Sequence, residues 1–182
     1  MIFQKEIALK DGTPCQLRSG REEDAADFVT LYNLTHAETD FLLSYPDESR
    51  LTDEGERAFL SGVEDSSDSI EICAFVDGKL VGCAGFSPVG RREKVRCRAD
   101  FGISVLKAYW GRGVGRALTA TVLDCARRAG YVQVELSVVA DNASAIALYK
   151  SVGFVEYGRN PRGFRSRFTG WQELVLMRLE LD

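Results

Sequence analysis

The amino-terminal part of the chain alternates between the apolar spacing of strands and that of helices. A strand is predicted over residues 14–18, and a helix follows it with Ser19 as its candidate N-cap. Residues 35–51 are predicted to be irregular, residues 52–60 to form a second helix, and the polar residues 61–69 to form a solvated loop. The first helix carries apolar residues three and four positions apart, which places them on one face: Ala25, Phe28, Val29, Leu31 and Tyr32.

Strand patterns dominate the middle of the chain. Two apolar runs, 70–76 and 80–86, flank the turn sequence Asp77-Gly78-Lys79, and this arrangement predicts a β-hairpin. A long strand is predicted over residues 94–106.

The remainder of the chain returns to alternating helices and strands. Helices are predicted over 115–128 and 143–152, and the glycines that follow, Gly130 and Gly153, are typical helix C-terminal residues. Strands are predicted over 131–139, 154–158 and 174–181. The order β-α-α-β-β-β-α-β-α-β-β indicates an α/β protein with a mixed sheet.

Composition and charge narrow the classes of function. The 182 residues, 45% of them apolar and 27% charged, are typical of one globular domain. The longest stretch without Asp, Glu, Lys or Arg is 80–90, too short for a membrane span, and the first residues lack a signal-peptide pattern. A net charge of −4 argues against a general nucleic-acid binder. These features predict a cytoplasmic protein with neither membrane nor nucleic acid as a partner.

The cysteines and the histidine exclude further classes. The five cysteines form no CxxC pair, and their odd number predicts reduced thiols rather than disulfides or a zinc ribbon. The single histidine, His36, excludes an HExxH metalloprotease and argues against a Ser-His-Asp or Cys-His hydrolase. No metal cofactor is expected.

Three alternate glycines follow the long predicted strand and open the next helix. Residues 109–118 read YWGRGVGRAL. Glycines permit close backbone approach, and the unpaired amides of a helix N-terminus attract phosphate, to which Arg112 and Arg116 would add charged contacts. Neither the P-loop pattern nor the dinucleotide pattern GxGxxG is present. A strand–helix turn that binds no ligand remains the alternative.

A second motif lies about 30 residues further on, at the spacing of one supersecondary unit. Residues 136–157 read LSVVADNASAIALYKSVGFVEY. Together, FGISVLKAYWGRGVGRAL and DNASAIALYKSVGF resemble the GCN5-related N-acetyltransferase (GNAT) superfamily, the second being similar to its pattern N-x-x-A-x-x-L-Y-x-x-x-G-F. The resemblance covers about 14–182 and implies a single N-acetyltransferase domain over 1–182. Trp110 departs from the Gln or Arg usual in the family.

The resemblance implies a fold and a cosubstrate. The fold is α/β, a mixed and mostly antiparallel central sheet with one parallel strand pair splayed at the acetyl-CoA site and helices on both faces. Acetyl-CoA is the implied cosubstrate. The resemblance implies that the acetyl-pantetheine arm contacts the backbone of Ile103, Ser104 and Val105, that Asn142 bonds the pantetheine amides, and that Lys150 contacts a phosphate. The implied contacts of the pyrophosphate are Gly111, Arg112, Gly113, Val114, Gly115 and Arg116. The alternatives are strand core for Ile103 and Val105, helix capping for Asn142, and a solvated side chain for Lys150.

The resemblance also implies a general acid but leaves the base open. Tyr149 matches the tyrosine that protonates the leaving thiolate, the alternative being a core aromatic. Some family members carry a glutamate where this chain has Ser137. The carboxylates that are candidates for the base are Asp100 and Glu135, and further Glu38 and Asp40. A water relay without a dedicated base also remains open.

Charge patterning bears on the acceptor amine without fixing it. Residues 38–71 hold eleven acidic and two basic residues, a net charge of −9, and form either a wall that favours a cationic amine or a solvated surface. Arginines in the predicted loop between the last two strands would bind an acceptor carboxylate or phosphate: Arg159, Arg162, Arg165 and Arg167.

These patterns leave several functions in competition. The expected reaction is direct attack of a small-molecule or peptide amine on acetyl-CoA. Protein N-terminal acetylation of the ribosomal-protein type is the alternative. A catalytically inactive CoA-binding sensor and a nucleotide-binding protein belong to other classes. The resemblance allows a homodimer.

Overall fold

A computed structural model describes residues 1–48 and 50–181. Within these residues the chain forms eight β-strands and four α-helices, together with short 3-10 turns at Glu22–Asp24, Pro46–Glu48 and Lys107–Tyr109. In chain order the elements are β1 (Gln4–Ala8), β2 (Pro14–Ser19), α1 (Ala25–Glu38), α2 (Asp53–Glu64), β3 (Ile70–Val76), β4 (Lys79–Pro88), β5 (Arg98–Val105), α3 (Val114–Arg128), β6 (Gln133–Val139), α4 (Ala143–Ser151), β7 (Val155–Ser166) and β8 (Gly170–Glu180).

All eight strands belong to one sheet, in the order β1-β2-β3-β4-β5-β6-β8-β7. Every neighbouring pair is antiparallel except β5 and β6. That parallel pair is short, because its register runs only from Arg98 opposite Gln133 to Asp100 opposite Glu135. Beyond Asp100 the two strands separate, which confirms the predicted sheet with one splayed parallel pair.

Helices cover both faces of the sheet. On one face α3 packs against the central strands through Val114, Leu118 and Val122, none of which has any exposed surface. On the other face α1 and α2 contribute Phe28 and Leu60 to a second apolar cluster over β3 and β4. Alternate residues of a strand point to opposite faces, so the even-numbered residues of β5 lie on the face covered by α1 and α2.

The predicted hairpin is confirmed at its turn. Asp77 and Gly78 both have positive φ, 49° and 75°, and they form a two-residue connection between β3 and β4. Positive φ at both central positions is what a type I′ turn requires, and Asp-Gly meets this need at low cost.

The predictions differ from the structure at four strands, β1, β5, β7 and β8. The edge strand β1 was missed, and β7 and β8 extend well into residues 159–173, which were predicted as a loop. Pro161 and Gly163 indicate a loop, yet β7 is an edge strand whose bulges accommodate both residues. The long strand begins at Arg98 rather than at residue 94.

The starts and ends of the first two helices also differ from the prediction. Ser19 is the last residue of β2, and its hydroxyl accepts a hydrogen bond from the Phe3 amide instead of capping α1. Asp24 precedes α1, forms an ion pair with Arg18 at 2.6 Å and accepts a hydrogen bond from the Arg21 amide. α2 continues to Glu64, four residues into the predicted loop.

Candidate active site

A large cleft opens where β5 and β6 separate. Its volume is about 830 Å³. One wall is the open end of β5, the floor is the glycine turn that leads into α3, and the opposite wall is α4 together with part of β6. The predicted site residues that line it are Asp100, Ile103, Ser104, Val105, Gly111, Gly113, Gly115, Arg116, Asn142 and Tyr149.

The glycine turn has the backbone geometry of an anion site. Gly111 and Gly113 adopt positive φ, 73° and 103°, which side-chain-bearing residues rarely do. Gly113 immediately precedes the 15-residue α3, whose first amides have no partner within the helix. The amide of Lys10 donates to the carbonyl of Arg112 at 3.0 Å and anchors the turn. These amides and the helix dipole favour a phosphate at this end of the cleft.

The cations near the turn divide between the cleft and the protein surface. Arg116 lines the cleft and donates to the Ser151 hydroxyl at 2.8 Å, which joins α3 to α4 at the rim. Arg112 instead forms an ion pair with Asp11 at 2.8 Å. Arg112, Val114 and Lys150 are absent from the cleft lining, and Val114 is a core residue.

The backbone of β5 is open towards the cleft. The Leu106 amide donates to Val81 on β4, so the amide and carbonyl of Val105, one residue earlier, point to the opposite side, into the gap left by β6. The Trp110 indole nitrogen donates to this Val105 carbonyl at 2.7 Å. The sequence marked Trp110 as unusual, but only the structure gives its role as a partner for the open strand.

Asn142 combines the two roles that the sequence left open. Its Oδ1 accepts a hydrogen bond from the Ala145 amide at 3.2 Å, which caps α4, and the residue also lines the cleft. Capping therefore fixes the side chain at the cleft wall.

Tyr149 lies on α4 and lines the cleft. It is 7% exposed, and its ring contacts Phe101 and Phe154 with centroid distances of 6.1 and 5.8 Å. Within residues 1–48 and 50–181 its hydroxyl has no hydrogen-bond partner. Burial raises the pKa of Tyr149 to about 12, so the phenol keeps its proton at neutral pH.

The four candidate bases are in very different surroundings. Asp100 lines the cleft, and both burial against the cleft wall and the negative charge of Glu135 raise the pKa of its carboxyl. Glu135 accepts two hydrogen bonds of 2.7 Å from Arg98 and lies outside the cleft lining. Glu38 accepts a hydrogen bond from the Lys107 amide at 2.7 Å. Of the four candidate carboxylates, Asp100 is the one that lines the cleft.

Asp40 joins the segment after α1 to the β7–β8 hairpin. Its carboxylate accepts hydrogen bonds from the Ser166 hydroxyl at 2.6 Å and from the side-chain amide of Gln172 at 3.1 Å, and its backbone carbonyl accepts another from the same side-chain amide. The Tyr45 hydroxyl also donates to it, at 3.0 Å. Asp40 thus links these two segments, and it does not line the cleft.

The arginines predicted to face the acceptor point elsewhere. Arg159, Arg162 and Arg165 lie in β7, and none of them, nor Arg167 in the turn, lines the cleft. Arg159 pairs with Glu156 and Glu173, Arg167 pairs with Asp47, and the other two stack on Trp171.

Part of the cleft lining is an apolar wall. It comes from the segment after α1 and from the β7–β8 hairpin, and the charge pattern of these two segments does not reveal it. Its residues are Phe41, Leu42, Leu43, Phe164 and Leu174.

No helix within residues 1–48 and 50–181 has the length and apolar character needed to cross a membrane. The same residues contain no group of three or more His, Cys, Asp or Glu side chains arranged to hold a metal ion.

Comparison with known proteins places these features in a family. An N-alpha-acetyltransferase RimI from Mycobacterium tuberculosis is 46% identical over 48% of this chain, and the match spans about half of that relative, 53%. A GNAT-family acetyltransferase from Streptococcus pneumoniae superposes with a TM-score of 0.87 and 30% identity, covering 91% of this chain and 99% of that one. A Salmonella typhimurium structure solved with its cofactor acetyl-CoA has the same fold, with a TM-score of 0.82, 23% identity and coverage of 92% and 94%. Residues 29–154 match the acetyltransferase (GNAT) family, and the chain belongs to it.

Proposed function

We propose that residues 1–182 form one N-acetyltransferase domain that moves the acetyl group of acetyl-CoA to a primary amine by direct attack. The observation that carries the proposal is the convergence of four features on one cleft: the glycine turn, the open end of β5, Tyr149 and Asp100. The first two fit a long anionic cosubstrate, and the last two supply proton transfer at its reactive end.

The cleft suits acetyl-CoA along its whole length. The amides of the glycine turn and Arg116 would hold the pyrophosphate, and a side chain at Gly111 or Gly113 would require strained backbone. Asn142 and the open backbone of β5 would bond the pantetheine arm. Lys150 follows Tyr149 on α4 and is exposed, so it would reach a phosphate at the rim. Bound acetyl-CoA supplies the acetyl group as an activated thioester.

The residues of the cleft divide the chemistry between them. Asp100 takes a proton from the acceptor ammonium, because only the neutral amine is a nucleophile. The Val105 amide, which points into the gap, donates a hydrogen bond to the carbonyl oxygen as that atom gains negative charge. Tyr149 gives its proton to the sulfur as the carbon–sulfur bond breaks, and its raised pKa keeps that proton available.

The test of the proposal is release of free CoA thiol with a matching acetylated product. We expect turnover when the protein is incubated with acetyl-CoA and a panel of amino acids, diamines, aminoglycosides and short peptides. Thermal stabilisation by CoA without turnover of any acceptor would instead indicate a CoA-binding sensor. Stabilisation by ATP or NAD and not by CoA would indicate a nucleotide-binding protein.

Protein N-terminal acetylation is the second candidate function. The similarity to a relative called an N-alpha-acetyltransferase supports it, and the apolar wall of the cleft fits the first side chains of a peptide. Peptides with free and with blocked amino termini decide between the candidates. The N-terminal reaction requires that a free-terminus peptide be a much better acceptor than any single amine.

Substitution of the glycine turn is expected to abolish CoA binding. In Gly113→Val the new side chain sits at φ 103° beside the Lys10 side chain, and the turn can no longer present its amides. CoA at 100 times its dissociation constant stabilises the unaltered protein by about 2.7 kcal/mol, which raises Tm by several degrees. The variant should show almost no CoA-dependent shift.

The matched control is Gly130→Val. Gly130 also has positive φ, 83°, but it ends α3 far from the turn and does not line the cleft. It should lose stability in the same way and still respond to CoA. Equal CoA-dependent shifts in Tm in both variants would contradict pyrophosphate binding at this turn.

A further inference from the structure

A row of three residues crosses the sheet from a carboxylate to the cleft. Glu71 on β3 is directly opposite Gly85 on β4, and Gly85 is directly opposite Gly102 on β5. The three lie on the face covered by α1 and α2, which is also the face of Asp100. Asp100 and Gly102 line the cleft, so the row ends at its wall.

The absence of side chains on the two glycines leaves space along this row. A Cβ atom at Gly85 would collide with Oε2 of Glu71, so the carboxylate extends across β4 towards β5. A Cβ atom at Gly102 would have no neighbour within 4 Å. The Cys83 thiol contacts both this carboxylate and the Ser104 hydroxyl, and beside it the row from Glu71 over Gly85 to Gly102 carries no side chain up to the cleft wall.

The carboxylate at the end of the row has no cation partner. In the described part of the chain Glu71 forms no ion pair, and Arg18, on the neighbouring strand, is fully engaged with Asp24. Glu56 on α2 adds a second negative charge; it is nine-tenths buried, and its Oε2 has no hydrogen-bond partner. Burial, together with the charge of Glu56, raises the pKa of Glu71 to about 7.

We propose that Glu71, with Glu56 behind it, binds a second ammonium group of the acceptor, so that diamines are the preferred acceptor class. The inference rests on the proposed acetyl transfer and adds its substrate class. β3 and β5 are two strand spacings apart, about 10 Å, and the extended carboxylate crosses part of that distance. An acceptor with one amine beside Asp100 would thus place its second ammonium over Gly102, where it would pair with the ionised Glu71 carboxylate and offset the negative charge of Glu56.

A pair of acceptors of equal length tests the proposal. With 1,5-diaminopentane and pentylamine, kcat/KM should favour the diamine at least tenfold in the unaltered protein. Glu71→Gln preserves size and removes the charge, so the preference should fall to about one while kcat/KM for pentylamine changes less than twofold. The matched control is Glu54→Gln, an exposed glutamate of α2, which should keep the full preference.

Binding in the absence of acetyl-CoA separates this inference from the acetyl transfer itself. Calorimetric titration with the diamine should show affinity at least tenfold above that for pentylamine, and Glu71→Gln should remove the difference. Diamine binding without turnover would contradict acetyl transfer and support the ammonium site. Turnover with no diamine preference, or with an equal loss for both amines in Glu71→Gln, would overturn the ammonium site.

A second variant guards against an indirect effect of Glu71→Gln on folding. Gly102→Val places a side chain in the open space of the row and leaves both carboxylates in place. It should also abolish the diamine preference, with a Tm close to that of the unaltered protein. Retention of the preference in Gly102→Val would place the second ammonium elsewhere.

Discussion

Tyr149→Phe is expected to lower kcat by about 10²–10⁴-fold, the usual contribution of general acid catalysis, and to leave CoA affinity nearly unchanged. The substitution removes only the hydroxyl, while the ring keeps its contacts with Phe101 and Phe154. The leaving thiolate gains its charge late in the reaction, so the lost proton donor affects the transition state rather than binding. Single-turnover rates under saturating substrates, beside CoA affinity by calorimetry, measure the two effects separately.

The control for this substitution is Tyr157→Phe. Tyr157 is 49% exposed on β7 and lies outside the cleft lining, so its variant should retain full activity. If kcat of Tyr149→Phe stays within about twofold of the value for the unaltered protein, Tyr149 has only a packing role. A weaker CoA complex with unchanged kcat would make it a binding residue instead.

Asp100→Asn is expected to lower kcat/KM by about 10²–10⁴-fold, because the amide cannot take a proton from the acceptor. In the unaltered protein the rate should fall as the pH drops through the Asp100 pKa, since a base acts only when ionised. Burial and Glu135 raise that pKa, so the fall should lie above the usual carboxylate range. The variant should be slow at every pH, without this acid limb.

Glu135→Gln tests the electrostatic part of this argument. It removes the negative charge beside Asp100 and leaves Arg98 without its carboxylate partner, and both changes favour ionised Asp100. The acid limb should therefore move to lower pH while the maximal rate stays similar. An unmoved limb would show that a group other than Asp100 titrates in the pH profile.

Elements that begin or end at a characteristic turn or capping residue were predicted well. The Asp77–Gly78 turn, the Asn142 cap and the glycines after α3 and α4 each act within a few residues of themselves, so the sequence shows them directly. Predicted and observed bounds of α3 and α4 accordingly agree within one residue. Edge strands are different, because β1 and β7 are held mainly by backbone pairing with one neighbour, which their side chains do not reveal.

The parts of the candidate site that a short motif specifies could be predicted from the sequence. The parts that depend on which side chains or strands pair with each other could not. The glycine turn and Tyr149 follow from short motifs, and the structure places both at the cleft. Asp100 and Glu135 look equivalent in sequence and are even opposite each other in the sheet, yet Arg98 pairs with only one of them. The row from Glu71 across two glycines depends on strand register, which no local pattern contains.

The junction at Asp40 has a consequence for redesign of acceptor specificity. Ser166 and Gln172 are buried, and they depend on an acceptor that lies 126 and 132 residues away in sequence. A chimera that imports residues 39–48 from a relative with no acceptor side chain at position 40 would remove the carboxylate to which both donate. Ser166 would lose its acceptor, at a cost of about 1–3 kcal/mol, and Gln172 would keep only the backbone carbonyl. Residues 39–48 and the β7–β8 hairpin therefore depend on each other, and a graft between family members should transfer both together.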